Sequence, residues 1–500
     1  MSLVLERLRE LAQNRGNDIA LHDGQQPITY ATLHSAIARL RQQFITAGVS
    51  VVALAGDNSI AWIVCDLALL GMPVRVVPVP MFFSASQIAH VFEQADVDIV
   101  VATGMDLPQV PGVNPVQLQQ LDTDLDIVAW RRPVTRPYRG DYEKVTFTSG
   151  STGKPKGVRL GLPTLESTAV SIADTLQPVG ITSHLSVLPY ATLLENIAGV
   201  YAPLLQGVTI HLRRMAQLGL QSPEQFNPLL LAAELQKVRP QATILVPQLL
   251  LALTILVQRG LLRDAQFRFI AVGGGKVAPA LLHLADSLGL PVYEGYGLSE
   301  CGSVVALNTP QQRRIGTVGK VLPHAVVQVG ADGEIRVSGA VMKGYLGEPE
   351  LDECSIATGD LGFLDDDGFL HVSGRKKNLF ITAFGRNVNP EWVEAELLSH
   401  LAIAQAAVFG EALPHNVAVI VPRAGFGADA VQAAVATCND NLPDYARIGR
   451  IILAQQPFTM GNGMATANGR ARRDDIATHF SAQFSPEVTD GILPAVTTAD

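Results

Sequence analysis

Apolar, β-branched runs recur along the first three hundred positions, at Ile99–Ala102, Leu185–Leu188, Val208–Leu212, Thr243–Val246 and Phe267–Val272, and helical patterns lie between them. Runs of this kind are strands buried on both faces, so parallel sheets with covering helices are predicted. From Val326 the pattern changes to hairpins. V-V-Q-V-G-A-D-G-E-I-R-V-S-G and G-F-L-D-D-D-G-F-L-H-V-S-G each place two strands around a D-G turn, which predicts a small β subdomain. After Gly374 the chain is basic at Arg375, Lys376 and Lys377, then gives a strand, a helix from Pro390 to about Leu401 and further αβ alternation. The pattern therefore divides the chain into 1–375 and 376–500. The most apolar stretch, Ile244 to Val257, contains Pro247 and Gln248 and suits a strand end plus a buried helix better than a membrane span.

Composition narrows the class. A chain of 500 residues with 48% hydrophobic positions, 44 Gly and 30 Pro suits a globular α/β protein of at least two domains. The net charge of -9 argues against a general nucleic-acid binder, which needs a basic face. Cys65, Cys301, Cys354 and Cys438 have no metal-ligand spacing and are expected as reduced thiols. The opening M-S-L-V-L-E-R-L-R-E-L is an amphipathic helix candidate without a signal-peptide pattern, so the cytoplasm is the expected location.

Three segments carry chemistry. T-F-T-S-G-S-T-G-K-P-K-G, Thr146 to Gly157, follows a strand-like run and offers hydroxyls at Thr148, Ser149, Ser151 and Thr152, glycines at Gly150 and Gly153, and charge at Lys154 and Lys156. Successive backbone N–H groups in such a loop make an anion cradle, while the same composition alone also suits a surface loop. It is not the Walker loop, because only Ser151 and Thr152 separate Gly150 from Gly153. Y-E-G-Y-G-L-S-E, Tyr293 to Glu300, follows another glycine run, Gly273–Gly275. Tyr296 suits ring stacking or the core, and Glu300 suits a Mg²⁺ ligand or a solvated surface acid. T-G-D-L at Thr358 and S-G-R-K-K at Ser373 flank a hairpin; Asp360, read as lying at a turn, either binds ribose hydroxyls or forms that turn.

In this order the segments resemble the adenylate-forming superfamily of acyl-CoA synthetases, firefly luciferase and nonribosomal adenylation domains, over nearly the whole chain. The resemblance implies an α/β fold: a large N-terminal domain of α/β subdomains with a small β subdomain, and a small mobile C-terminal α+β domain. It implies two steps. A carboxylate attacks the α-phosphate of Mg·ATP to give acyl-AMP, and a thiol then displaces AMP. Matched residue by residue, Thr148 to Lys156 would hold phosphates, with Thr148 and Glu300 as the Mg²⁺ pair and Lys156 and Glu300 acting in catalysis. Gly273, Gly274, Gly275, Tyr296, Gly297 and Ser299 would frame the nucleotide, and Asp360 and Arg375 would hold ribose and phosphate. Lys377 would be the hinge, and Phe384, Gly385 and Arg386 would line the thiol channel. The implied substrates are ATP with Mg²⁺, a small-molecule carboxylic acid, and coenzyme A or the phosphopantetheine of an acyl carrier protein. Nucleic acid and an integral membrane segment are not expected.

Two positions depart from the family pattern. T-A-N-G-R-A-R-R, Thr466 to Arg473, places Arg470 where the family has its adenylation lysine, and no lysine follows Lys377. Only nine of the 37 basic residues are lysine, so the exchange is either a compositional replacement of charge by charge or the mark of a slowed, altered or lost first step. L-P-Y-A-T-L-L-E-N resembles the L-P-L-x-H-x-x-E stretch of the fatty acyl branch, with Thr192 at the histidine and Glu195 at the glutamate. No aspartate occurs between Leu185 and Val200, which disfavours an α-amino acid. Leu193, Leu194, Ile197, Val200, Val304, Val305 and Ala306 suit an apolar tail. The reading is a medium- or long-chain fatty acyl-CoA synthetase, with carrier-protein loading or an impaired homologue as alternatives.

Overall fold

The structure is a computed structural model and describes residues 2–103, 119–122, 124–132, 138–148, 155–222, 225–351, 355–383, 385–411, 413 and 415–484. The chain divides into two compact units, Met1–Lys377 with Thr466–Arg470, and Asn378–Ala465 with Ala471–Asp500.

In the first unit an eight-stranded sheet sets Val51–Gly56 between the parallel strands Arg75–Val79 and Ile99–Thr103. All of Val51–Gly56 is buried, as its unbroken apolar sequence requires of a strand covered on both faces. Glu143–Thr148 lies parallel to Arg75–Val79 and pairs antiparallel with Lys156–Gly161, which puts Thr148 opposite Lys156. Gly344–Tyr345 pairs with Lys156–Gly161 at the sheet edge. Ser59 caps the helix Ile60–Leu69, and every residue of that helix is buried. A helix apolar on all sides belongs inside a core, and Asp66 is its one charged member.

A nine-stranded sheet carries Thr209–His211, Ser183–Leu185, Ala242–Leu245, Phe269–Val272 and Val292–Tyr296 side by side and parallel. The run read as a strand over Leu185–Leu188 is one only to Leu185. Side chains hold the backbone beyond it: Leu188 N donates to Glu195 Oε2 at 3.3 Å, and Asn58 Nδ2 donates to the Leu188 carbonyl at 2.8 Å. A π-helix, Glu195–Tyr201, follows. Ile244 to Val257 divides as expected into the strand Ala242–Leu245 and the helix Pro247–Gln258.

Both D-G hairpins form. Ala325–Val329, Glu334–Gly339, Ser355–Leu364 and Leu370–Arg375 make a four-stranded antiparallel sheet. Asp360, read from the sequence as a turn residue, instead lies within Ser355–Leu364, opposite Arg375. Gly359 at φ 72° and a register shift after Leu361 bend the strand without ending it.

The second unit has a three-stranded sheet of Ile403–Phe409, Asn416–Pro422 and Ile448–Leu453, with helices Pro390–Leu398, Ala428–Asn441 and Arg473–Phe480. The first helix stops at Leu398, short of Leu401, because Ser399 Oγ bonds back to the Glu396 carbonyl and a turn from His400 to Ile403 opens the next strand. Among the described residues no helix is long and apolar enough to cross a membrane.

Candidate active site

The strand Val292–Tyr296 delivers Tyr296, whose hydroxyl donates to Asp360 Oδ2 at 2.6 Å. Arg375 Nε meets Asp360 Oδ1 at 2.9 Å, and Arg375 Nη1 donates to the Thr358 carbonyl at 2.9 Å. Burial, then the Asp360 charge, pushes the Tyr296 hydroxyl far above its ordinary range, so it remains a donor. Gly273–Gly275 leaves the neighbouring strand Phe269–Val272, with Gly274 at φ 78°. Lys276 Nζ donates to the Val372 carbonyl at 2.8 Å and ties this glycine exit to the strand that ends at Arg375. Three segments far apart in sequence thus converge around Asp360. Gly297 admits no side chain, since a Cβ there would stand 1.7 Å from the Ser303 carbonyl oxygen, and Ser303 itself has φ 91°. Backbone strain of this kind concentrates at functional sites.

Ser299 and Glu300 lie in the 3₁₀ turn Ser299–Cys301. Glu300 Oε1 accepts a hydrogen bond from the Tyr345 hydroxyl at 2.9 Å, and Met342 N donates to the Glu300 carbonyl at 2.7 Å. Lys156 Nζ lies 5.2 Å from the centroid of the Tyr345 ring. Thr148 Oγ1 is 3.5 Å from the Lys156 carbonyl. Ser149, Gly150, Ser151, Thr152, Gly153 and Lys154 lie outside the described residues, as does Phe384. Among the described residues no group of three or more His, Cys, Asp or Glu could hold a metal ion. A single carboxylate oriented by the Tyr345 hydroxyl fits Mg²⁺, which keeps waters and binds mainly through phosphates, and does not fit a metal caged by protein.

Thr192 Oγ1 donates to the Pro189 carbonyl at 2.6 Å, and Val304 is buried. Glu195 is fully buried with Oε1 3.2 Å from His184 Nε2. Arg470 belongs to the short segment grouped with the first unit, and its Nη2 donates to the Gly274 carbonyl at 3.0 Å. Lys377 is the last residue of the first unit's main span. Gly385, at φ 71°, and Arg386 lie in the second unit, between Phe380–Ile381 and Asn387–Val388.

Sequence reasoning missed Tyr345 and a buried charged network. Lys144, fully buried on the strand that ends at Thr148, donates to Asp66 Oδ1 at 2.8 Å, Asn196 Oδ1 at 2.6 Å and the Tyr201 hydroxyl at 2.8 Å. Asp66 Oδ2 also accepts from Asn196 Nδ2 at 3.0 Å and Tyr201 Oη at 2.6 Å. The preceding residue, Glu143, accepts from Arg75 Nε at 2.8 Å and Arg159 Nε at 3.0 Å. The available signal was the adjacent charges Glu143 and Lys144 opening the strand E-K-V-T-F and the single charge Asp66 in I-A-W-I-V-C-D-L-A-L, since buried charges require partners.

This fold, with its motifs in this order, defines an enzyme of the adenylate-forming superfamily. The chain belongs to the AMP-binding enzyme family, whose profile matches residues 8–346, and the profile of the AMP-binding enzyme C-terminal domain matches residues 377–485. It is 27% identical over 418 residues to 2-succinylbenzoate–CoA ligase of Geobacillus sp. (strain WCH70), covering 78% of this chain and 81% of that one. Over 154 residues, 30% of this chain and 26% of the other, it is 41% identical to the long-chain-fatty-acid–CoA ligase FadD15 of Mycobacterium bovis. Its fold is similar to that of o-succinylbenzoate CoA synthetase from Bacillus subtilis in complex with an acyl-adenylate intermediate, with TM-score 0.74 and 23% identity over 94% of this chain and 97% of that one.

Proposed function

We propose that this enzyme, an acid–thiol ligase of the AMP-forming class, activates a medium- or long-chain fatty acid in the cytoplasm and passes the acyl group to the thiol of coenzyme A. The observation that carries this reading is the hydrogen-bonded set Tyr296, Asp360 and Arg375 beside the glycine exit at Gly273–Gly275. There Asp360 accepts from the ribose hydroxyls, Arg375 keeps that carboxylate oriented, and Tyr296 presents its ring to adenine. Lys156 faces the phosphates. Thr148 and Glu300 hold Mg²⁺, which when bound neutralises phosphate charge.

In the first step an acid carboxylate oxygen attacks the α-phosphorus and the bond to pyrophosphate breaks. Arg470 supplies the positive charge that the family usually takes from lysine, and its wider planar fork makes this step slow. The thiolate of coenzyme A then attacks the acyl carbon and AMP leaves, with Lys377 as the hinge residue and Gly385 and Arg386 serving the thiol. Support for an aliphatic acid comes from the apolar residues beside Thr192 and Val304, and from the FadD15 segment.

Pyrophosphate exchange with decanoate, palmitate, benzoate, 2-succinylbenzoate and phenylalanine tests the substrate. Exchange greatest with decanoate or palmitate supports the reading, greater exchange with 2-succinylbenzoate reassigns the acid, and a flat response refutes it. Supplying palmitoyl-AMP with either coenzyme A or a phosphopantetheinylated carrier protein identifies the acceptor.

A further inference from the structure

Gly344–Tyr345 is a two-residue strand that touches both halves of the phosphate chemistry. Its backbone pairs with the strand starting at Lys156, Tyr345 standing opposite Val158, and Leu346 N donates to the Gly157 carbonyl at 2.8 Å. Two residues earlier in the same segment, Met342 N donates to the Glu300 carbonyl at 2.7 Å. One side chain repeats the connection, with the Tyr345 hydroxyl on Glu300 Oε1 at 2.9 Å and the face of its ring under Lys156 Nζ at 5.2 Å. The ring is rigid, so its two contacts fix the carboxylate and the ammonium relative to each other.

We propose that Tyr345 is a positioning residue that holds Glu300 and Lys156 in register, so that the carboxylate offered to a divalent cation and the ammonium offered to phosphate are set by one side chain. This rests on the nucleotide site proposed above. A donor that fixes one oxygen of a metal-binding carboxylate limits its rotation, and loss of such a partner typically costs ~10–100-fold in metal affinity or activity. An ammonium over an exposed aromatic face contributes about 0.5–1 kcal/mol, or roughly 2–5-fold in binding.

The two contacts separate by substitution. Tyr345→Phe keeps the ring under Lys156 and removes the donor to Glu300, whereas Tyr345→Leu removes both. Mn²⁺ binding followed by electron paramagnetic resonance with α,β-methylene-ATP, and binding of the same analogue in EDTA followed by calorimetry, report the two contacts without turnover. Tyr345→Phe weakens Mn²⁺ binding about 10-fold with analogue binding in EDTA unchanged. Tyr345→Leu weakens Mn²⁺ binding likewise and also weakens the analogue in EDTA by roughly 2–5-fold. In a Glu300→Gln background Tyr345→Phe has no further effect on Mn²⁺. Unchanged Mn²⁺ binding in Tyr345→Phe, or an equal loss in the Glu300→Gln background, overturns the proposal. No acid is present, so an error in the fatty acid reading shows only in the exchange assay.

Discussion

Removing one member of the buried pair Lys144–Asp66 is predicted to destabilise the first unit severely, while removing both is not. Lys144 Nζ makes three hydrogen bonds, at 2.8, 2.6 and 2.8 Å, and neither side chain is more than 1% exposed. Desolvation pulls the Lys144 ammonium below its ordinary range, against the Asp66 charge that supports it. Breaking such a pair from one side leaves an uncompensated buried charge and costs about 3–5 kcal/mol, whereas exchange of both partners for apolar residues is often neutral. Lys144→Met and Asp66→Leu should therefore each lose about 4 kcal/mol and the double variant far less than their sum. With a urea slope of about 3 kcal/mol per molar, each single change lowers the midpoint by roughly 1 M or more. The three tryptophans are Trp62, Trp130 and Trp392, and only the last is in the second unit. Fluorescence in a Trp392→Phe background therefore follows the first unit, and Trp62 reports from the helix of Asp66 itself. A loss under 1 kcal/mol in Lys144→Met, or a double variant worse than either single one, would refute the argument.

Glu294 is nearly buried, and desolvation pushes its carboxyl up to about 8 from an ordinary 4.5, with Lys276 opposing. A raised carboxyl stabilises fully below the unfolded value and loses that contribution as pH climbs through the folded one. The unfolding free energy of the first unit, read from urea titrations, should fall between pH 4.5 and 8 by on the order of 4 kcal/mol, and Glu294→Gln should flatten that dependence. Arg470→Lys should raise pyrophosphate exchange with the KM for the acid unchanged, and Arg470→Ala should nearly abolish it; a fall in Arg470→Lys would mean that the site has adapted to the guanidinium. Gly297→Ala must displace the Ser303 carbonyl, so calorimetry should show ATP binding weakened by at least ~10-fold. Gly427→Ala, in a place where a Cβ meets nothing within 4 Å, should leave ATP binding unchanged.

The sequence determined the elements whose cause is local. Apolar runs without alternation required strands covered on both faces, D-G required hairpins, and Pro247 and Pro390 opened helices, all from neighbours along the chain. It also placed Tyr296, Asp360 and Arg375 on motifs that the fold brings into hydrogen-bond contact. Local rules misplaced Asp360 at a turn, because a bulge keeps its strand paired, and ran Leu185–Leu188 too far, because Asn58 and Glu195 take that backbone. Lys144 and Asp66 stand 78 residues apart, and Glu300 and Tyr345 stand 45 apart, with no shared motif. Their meeting is a matter of which strand lies beside which helix or turn. A buried charge announces that it needs a partner; only the tertiary structure selects one, since desolvation acts on position in space and not on order along the chain.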